Sequence, residues 1–161
     1  MLVKLRRLSC PCAGFTAIEL MVVVAVLAVI GAVAAPGMRS FVLAQRVQSL
    51  SYDLASDLML ARSEALKRSS TAQLSASGTG LEGGWRVSVG NTVLGWRGAT
   101  AGGVQISDAP TTIAFNSNGR VSAPVTQLRM TISAGDSPGI AKRCVQVDLS
   151  GRVRVGTGAC T

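Results

Sequence analysis

An apolar run near the amino terminus constrains this chain more than any other feature. Residues 15–35 read FTAIELMVVVAVLAVIGAVAA, and Glu19 is the only charged residue among these 21. As an α-helix the run would be about 31 Å long, enough to cross the hydrocarbon core of a bilayer. Lys4, Arg6 and Arg7 precede it and no acidic residue does. The positive-inside rule therefore predicts a cytoplasmic amino terminus and an exported remainder.

Glu19 bears on two alternative fates of the apolar run. In an ordinary secretory signal the chain would be cut after the run, where Ala32-Val33-Ala34 fits an A-x-A site, and a soluble protein would be released. A carboxylate inside a spanning helix costs about 2.5–3.5 kcal/mol and therefore needs a partner. A cut between Gly14 and Phe15 would create an α-amino group one helical turn before Glu19, on the same face. Between staggered parallel helices, the amine of one subunit could neutralise the carboxylate of the next.

The segment Gly14-Phe15-Thr16-Ala17-Ile18-Glu19-Leu20 resembles the processing motif of type IV pilins and pseudopilins. The resemblance implies that a prepilin peptidase cuts between Gly14 and Phe15 and methylates the new amino terminus of Phe15. It also implies that Glu19 guides the docking of subunits into a helical filament. The partners implied are other pilins or pseudopilins, the peptidase and the inner membrane.

The same resemblance divides the chain into three parts. These are a cleaved leader (residues 1–14), a hydrophobic transmembrane and filament-core helix (15–38) and a periplasmic α+β head (39–161). The expected location is the bacterial inner membrane, with a single span, a cytoplasmic amino terminus and a periplasmic head, followed by the filament after assembly. Cys10 and Cys12 fall in the leader, and we expect no function for them.

A second helical pattern follows the apolar run and extends to about Arg68. Its apolar residues recur every three or four positions, which is typical of a helix that buries one face. They are Leu43, Val47, Leu50, Leu54, Leu58, Ala61 and Ala65. Residues 15–68 can therefore form one long helix, in which Pro36 is either an interruption or the boundary of the membrane segment.

After the helix the apolar pattern changes to a period of two, which predicts strands. Gly90-Asn91 predicts a hairpin in which Trp85 faces Trp96 and Val87 faces Leu94 across the turn, with Arg86 and Arg97 on the other face. We interpret the two tryptophans as core, with base stacking as the alternative. The predicted strands are 85–89, 92–96, 104–107, 112–115, 127–132, 143–149 and 152–155. A long helix followed only by strands predicts an α+β fold, with the helix laid along an antiparallel sheet.

Several short segments resemble one branch of the pilin-like proteins, the FimT/GspH group of minor pilins and minor pseudopilins. They are residues 61–68 at the helix end, Gly84-Trp85, Phe115 with Gly119, and Gly151-Arg152-Val153-Arg154. With the amino-terminal motif they cover most of the chain. Pilus and secretion-system members share these segments, so the two branches stay open.

Cys144 and Cys160 are the two cysteines outside the leader. Because an exported head lies in an oxidising compartment, we expect them to form a disulfide. The bridge would enclose a loop of about 15 residues and contribute around 3 kcal/mol. It would hold residues 150–158 as a rigid loop, staple the chain terminus, or do both.

Two arginines lie inside the loop that this disulfide would close. Arg152 and Arg154 are two residues apart on a predicted strand, so they point the same way about 6.8 Å apart, a spacing that suits two phosphate contacts. Arg120, Arg129, Lys142 and Arg143 could widen the basic surface. The G-R-x-R pattern resembles the DNA-binding motif of FimT proteins in naturally transformable bacteria, which implies double-stranded DNA as a partner. The alternative is that the arginines only protect an exposed sheet edge from pairing.

Composition excludes several classes of enzyme. The chain has no histidine and 16 basic against 8 acidic residues, so histidine triads and histidine-ligated metals are excluded. The acidic residues are scattered, and no phosphate-binding glycine motif occurs. We therefore expect no enzyme activity, metal or cofactor. The principal hypothesis is a minor pilin that binds DNA; the alternative is a structural minor pseudopilin of a type II secretion system without DNA binding.

Overall fold

A computed structural model describes residues 14–100, 102–122, 127–135, 137 and 139–161. Apart from Gly14, the expected leader lies outside the described residues, and with it both leader cysteines. The chain divides into an amino-terminal unit that ends at Met38 and a carboxyl-terminal unit, Arg39–Thr161. Helix α1, Ala17–Arg68, contributes to both.

Helix α1 begins in a capping box, in which an N-cap side chain and the residue three positions later satisfy each other's backbone N–H groups. The backbone N–H of Thr16 donates to Glu19 Oε2 at 3.1 Å, and that of Glu19 donates to Thr16 Oγ1 at 3.3 Å. The first part of the helix, Ala17–Ala35, has a mean hydropathy of 2.7 and is long and apolar enough to cross a membrane. The helix continues through position 36, so Pro36 does not end it.

The carboxyl end of α1 is stabilised by charged side chains, and a change of backbone direction then ends the helix. The Arg68 guanidinium donates to Glu64 at 2.7 Å, and this contact holds the pKa of the Glu64 carboxyl below its ordinary value. Lys67 and Arg68 in the last turn also favour the negative end of the helix dipole. Ser69 then takes a φ of 48°, which ends the helix where the sequence predicted.

The head, Arg39–Thr161, has one hydrophobic core built on the apolar stripe of α1. Of that stripe, Val47, Leu54, Leu58, Ala61 and Ala65 are fully buried, and Leu43 and Leu50 pack against them half-buried. The stripe meets the inward-facing side chains of two antiparallel sheets. The predicted α+β pilin-like fold is therefore confirmed, with two sheets where the sequence suggested one.

The sheets have four strands each. The first sheet has the order β3-β2-β1-β5, with β1 Ala72–Ala76, β2 Trp85–Val89, β3 Thr92–Arg97 and β5 Thr112–Phe115. The second sheet has the order β4-β6-β7-β8, with β4 Gln105–Ser107, β6 Leu128–Ser133, β7 Arg143–Val147 and β8 Val153–Thr157. A short 3₁₀ helix, Leu81–Gly83, separates β1 from β2.

Strand β1 is the element that the sequence did not predict. It pairs with both β2 and β5 and so lies in the interior of the first sheet. Its sequence, AQLSA, contains one large apolar residue, Leu74, which is fully buried with Ala72. The strand was missed because small residues in a serine-rich stretch give only a weak period-two pattern. Burial of its inward-facing side chains against the helix compensates for their low strand propensity.

The β2–β3 hairpin forms at the predicted turn, but the predicted cross-strand register is wrong. Val89 faces Thr92 and Ser88 faces Val93 as expected; a β-bulge then follows, and Val87 faces Gly95 instead of Leu94. The bulge adds Leu94 to β3 without a partner, so every later residue is shifted by one and changes face. Trp85 therefore faces Arg97 and is core, whereas Trp96 faces Arg86 and is 73% exposed.

Candidate functional site

The turn between β7 and β8 is held by the Asp148 side chain. Asp148 Oδ1 accepts a hydrogen bond from the Ser150 hydroxyl at 2.5 Å and another from the backbone N–H of Arg152 at 3.0 Å. The backbone closes the same turn, because Gly151 N–H donates to the Asp148 carbonyl at 2.8 Å. The loop that carries the first arginine is therefore fixed before any ligand arrives.

These contacts also stabilise the ionised form of Asp148. The Ser150 hydroxyl, the Arg152 backbone N–H and the nearby Arg154 guanidinium all favour the ionised form and lower the pKa of the carboxyl. Asp148 is thus an anion at neutral pH. It lies among the arginines that the sequence assigned to phosphate binding, and it reduces the positive charge of that surface.

A second turn fixes the position of the first. The Gly119 carbonyl oxygen accepts a hydrogen bond from Arg62 Nε at 3.1 Å, and it also lies against Gly151. A Cβ atom on Gly151 would collide with that oxygen, and Gly151 has a φ of +78°. The glycine of the G-R-x-R pattern is therefore required by a close backbone contact.

Arg152 and Arg154 lie side by side at the edge of the second sheet. Both are exposed, while Val153 and Val155 between and beyond them pack half-buried against the core. Neither guanidinium donates a hydrogen bond to another residue in the described part of the chain. The two arginines share a depression of about 220 Å³. Its other lining residues are Gln127, Gln146 and Asp148.

Of the four additional cations, Arg129 is aligned with Arg154, and Arg120 follows the turn that contacts Gly151. Arg129 faces Gln146, which faces Arg154, so these three side chains form a row across β6, β7 and β8 on one face. The Arg129 guanidinium is already occupied, since it donates to Gln127 Oε1 and to the Thr161 carbonyl. Arg120 is exposed and follows Gly119 directly, next to the Gly151 contact.

The other two cations do not join the surface. Lys142 precedes β7 at its far end, four residues from Gln146 and therefore about 13 Å along the strand. Arg143 donates to Gln48 Oε1 on helix α1 at 3.2 Å, which places its side chain on the helix side of the sheet. The sequence grouped them with Arg152 because it does not show on which face each residue lies.

The predicted disulfide between Cys144 and Cys160 is present, with a Cα–Cα distance of 5.0 Å. It holds the last residues against the outer face of β7 and β6, where Cys160 N–H donates to Thr131 Oγ1 at 3.1 Å. The bridge therefore closes a loop that contains both arginines, between cysteines 16 positions apart. No cluster of three or more metal-ligating side chains occurs among the described residues.

The amino-terminal motif lies at the start of helix α1. Gly14 and Phe15 precede the helix in non-helical backbone and are exposed, Phe15 to 85%. Glu19 is also exposed, and its carboxylate is turned toward the Thr16 backbone by the capping box. The bond between Gly14 and Phe15 is thus accessible, and the Glu19 carboxylate is oriented toward the amino-terminal end of the helix.

A half-buried polar cluster that the sequence did not reveal links α1 to the β2–β3 hairpin. Asp57 accepts a hydrogen bond from the Trp85 indole Nε1 at 2.7 Å and another from Arg97 Nε at 3.1 Å. Arg97 also reaches Asp53 at 3.3 Å and lies 5.7 Å from the centre of the Trp85 ring. The sequence signal that could have revealed this cluster was the Trp85 indole N–H, which needs an acceptor once the ring is buried.

Comparison with known proteins assigns this arrangement to a family. The family described as "Type II transport protein GspH" matches residues 51–151, which include the end of α1 and the turns at Gly119 and Gly151. The chain belongs to the GspH family. None of the curated proteins compared with it is similar at a significant level. As a member of a pilin family, this GspH-family chain is a minor pilin or pseudopilin, a structural subunit and not an enzyme.

Two crystal structures of a minor pilin support the fold of this GspH-family chain. It is similar to the type IV minor pilin FimU of Pseudomonas aeruginosa, with 20% identity, a TM-score of 0.61 and coverage of 70% of this chain and 89% of FimU. A second crystal form of FimU gives 19% identity, a TM-score of 0.56 and coverage of 68% and 91%. The minor pseudopilin EpsH of the Vibrio cholerae type 2 secretion system matches with 16% identity, a TM-score of 0.49 and coverage of 69% and 96%.

Proposed function

We propose that this GspH-family subunit is processed as a prepilin, joins a type IV pilus-like filament and binds double-stranded DNA through Arg152 and Arg154. One observation carries the DNA proposal: two exposed guanidiniums stand side by side on a fixed sheet edge without a hydrogen-bond partner among the described residues. Guanidinium groups bind phosphate oxygens with paired donors and stay charged at any physiological pH. The edge is therefore suited to successive phosphates of one strand.

Processing and location follow from the amino-terminal motif. In this proposal prepilin peptidase removes residues 1–14 and methylates Phe15. Residues 15–38 then anchor the subunit in the inner membrane, with a cytoplasmic amino terminus, and residues 39–161 form the periplasmic head. The exposed Gly14-Phe15 bond and the apolar stretch Ala17–Ala35 support this order of events. Glu19 then docks the subunit onto other pilins by meeting the amino terminus of a neighbour.

The chemistry of the site limits the kind of DNA binding. The guanidiniums are two residues apart on one sheet edge and would contact the DNA backbone without entering a groove, so binding is expected to be independent of sequence. Asp148, ionised beside them, repels phosphate and keeps the affinity of one subunit low. Each phosphate contact releases counterions, so affinity should fall steeply as salt rises.

A titration of labelled duplex DNA with the full chain in a neutral detergent tests the DNA proposal. Arg152→Ala/Arg154→Ala should weaken binding and reduce the slope of log affinity against log salt by about 0.9 for each phosphate that is no longer bound. Arg39→Ala/Lys67→Ala removes the same charge from exposed positions on α1 and is the matched control. Equal weakening in both variants, or salt-independent binding by the unchanged chain, would remove the DNA role.

A structural pseudopilin of a type II secretion machine is the second candidate, because the matching family is described as a type II transport protein. In that case the head contacts neighbouring pseudopilins and exported protein, and the arginines only protect the β8 edge. Deleting the gene from its host and measuring protein secretion and DNA uptake separates the two. A secretion defect rescued by Arg152→Ala/Arg154→Ala favours the second candidate.

A further inference from the structure

The outer face of the first sheet carries an exposed aromatic ring beside an unpaired cation. Because of the bulge at Leu94, Trp96 faces Arg86 directly across the β2–β3 pair. Opposite side chains of an antiparallel pair have Cβ atoms about 4.5–5.5 Å apart. Trp96 is 73% exposed, and the Arg86 guanidinium has no hydrogen bond or ion pair with any residue that the structure describes.

A polar depression adjoins Arg86. It has a volume of about 330 Å³ and crosses from the hairpin turn to β1. The lining residues are Gln73, Arg86, Ser88, Gly90, Asn91 and Val93. In addition, the Ser75 hydroxyl, opposite Arg86 in β1, is buried without a hydrogen-bond partner among the described residues. Two amides and the Ser88 hydroxyl thus line the depression with the Arg86 guanidinium, and the four strands of the sheet contain no acidic residue.

We propose that this face binds a single-stranded nucleic acid, with an unpaired base stacked on Trp96 and the adjoining phosphate on Arg86. A flat ring accepts any base, a guanidinium pairs with a phosphate, and amide groups can reach base edges. A duplex would not suit the site, because its bases are stacked on one another and cannot lie on an exposed ring. The proposal is independent of Arg152 and Arg154, which lie on the other sheet.

Other occupants fit the surface less well. The centre of a protein interface is usually a cluster of apolar side chains around its aromatic anchor, whereas Val93 is the only large apolar residue among those that line the depression. A neutral sugar could stack on the ring but would leave the guanidinium without an anion. The combination of ring and cation favours a nucleotide chain.

Binding of a fluorescein-labelled oligothymidylate to the full chain in neutral detergent, followed by anisotropy, tests this inference. Trp96→Ala should weaken binding roughly 5- to 150-fold, while Trp96→Phe, which keeps a stacking surface, should retain most of the affinity. Arg86→Ala should weaken binding and lower the salt slope by about 0.7 for one phosphate contact. Tyr52→Ala, which removes an aromatic ring 52% exposed on α1, is the control and should bind like the unchanged chain.

The same titration separates this site from the duplex site. Arg152→Ala/Arg154→Ala should still bind the oligothymidylate and still show quenching of Trp96 fluorescence, to which buried Trp85 contributes no change. Equal affinity of Trp96→Ala and the unchanged chain would overturn the inference. The inference would also be overturned if the oligothymidylate did not quench Trp96 fluorescence and if Trp96 became inaccessible to solvent when the subunits assembled. That result would assign the face to subunit packing.

Discussion

The carbonyl oxygen of Gly119 fills the space in which a Cβ atom on Gly151 would stand. This contact joins two turns that are 32 positions apart in the sequence, and Arg62 on the helix donates to the same oxygen. The turn that presents Arg152 is thus fixed by the helix and by a second turn. The geometry of the basic edge depends on a glycine that itself contacts no ligand.

Gly151→Ala should therefore destabilise the head by about 2–5 kcal/mol, because a side chain would be forced into a left-handed conformation and into a filled space. Urea unfolding followed by tryptophan fluorescence measures the change. Gly156→Ala is the control, since no atom lies within 4 Å of its added Cβ, and it should change the free energy of unfolding by about 0.5 kcal/mol or less. Equal stability of the two variants would contradict the contact.

The Asp57 carboxylate should be a major polar contribution to head stability. Asp57→Ala leaves the indole N–H of fully buried Trp85 without an acceptor, and we expect a loss of about 1–3 kcal/mol. Asp53→Ala removes a half-exposed partner of Arg97 only and should cost about 1 kcal/mol or less. Thermal unfolding of both variants provides the comparison, and a larger effect at Asp53 would refute the assignment.

Reduction of the Cys144–Cys160 bridge should lower the free energy of unfolding by around 3 kcal/mol, as expected for a loop closed by cysteines 16 positions apart. The melting temperature of the head with and without a thiol reductant measures this loss. The variant Cys144→Ala/Cys160→Ala should melt near the reduced protein and should not respond to the reductant. A reductant effect in that variant would point to another cause.

Asp148 should give the head a specific sensitivity to acid. Its pKa is lowered in the folded chain by Ser150, Arg152 and Arg154, so the ionised form stabilises the fold above the ordinary carboxyl pKa of about 4. That contribution is lost as pH falls through the lowered pKa. The stability difference between the unchanged chain and Asp148→Asn, measured by urea unfolding, should therefore shrink from neutral pH toward pH ~2. A constant difference would rule out ionisation as the cause.

Glu19 allows charge and helix capping to be separated. Glu19→Ala should leave the head folded and the subunit in the membrane but poorly incorporated into filaments. Glu19→Gln keeps a capping side chain three residues after Thr16 but cannot neutralise a neighbour's amino terminus. Quantifying both variants in sheared filaments tests the pairing. Normal incorporation of Glu19→Gln would show that capping, and not charge, is what assembly requires.

The elements that the sequence predicted well are those with strong periodicity. The apolar stripe from Leu43 to Ala65 lies on the face of α1 that packs into the core, and α1 ends at Arg68 as expected. The strand 112–115 was predicted with its observed bounds. In each case a single property, hydrophobic spacing, determines the structure, and it can be read without knowledge of distant partners.

The features that could not be predicted depend on contacts between distant segments. A bulge in the hairpin is invisible to alternation, so Trp96 was placed in the core, and Arg143 was grouped with cations on the opposite side of its sheet. Asp148 was counted only as an isolated acid, because the orientation of its carboxylate toward Ser150 and Arg152 arises only in the folded turn. Side-chain orientation and long-range pairing are tertiary properties.

The unpaired Leu94 has a consequence for how this surface can change over time. Because the bulge lies between the turn and the far half of β3, one inserted or deleted residue there exchanges the side chains shown to solvent for those that contact the helix. Substitutions at the exposed positions, in contrast, leave the interior untouched. Related sequences can therefore change the exposed side chains of the first sheet one residue at a time, provided that the length of β3 is preserved.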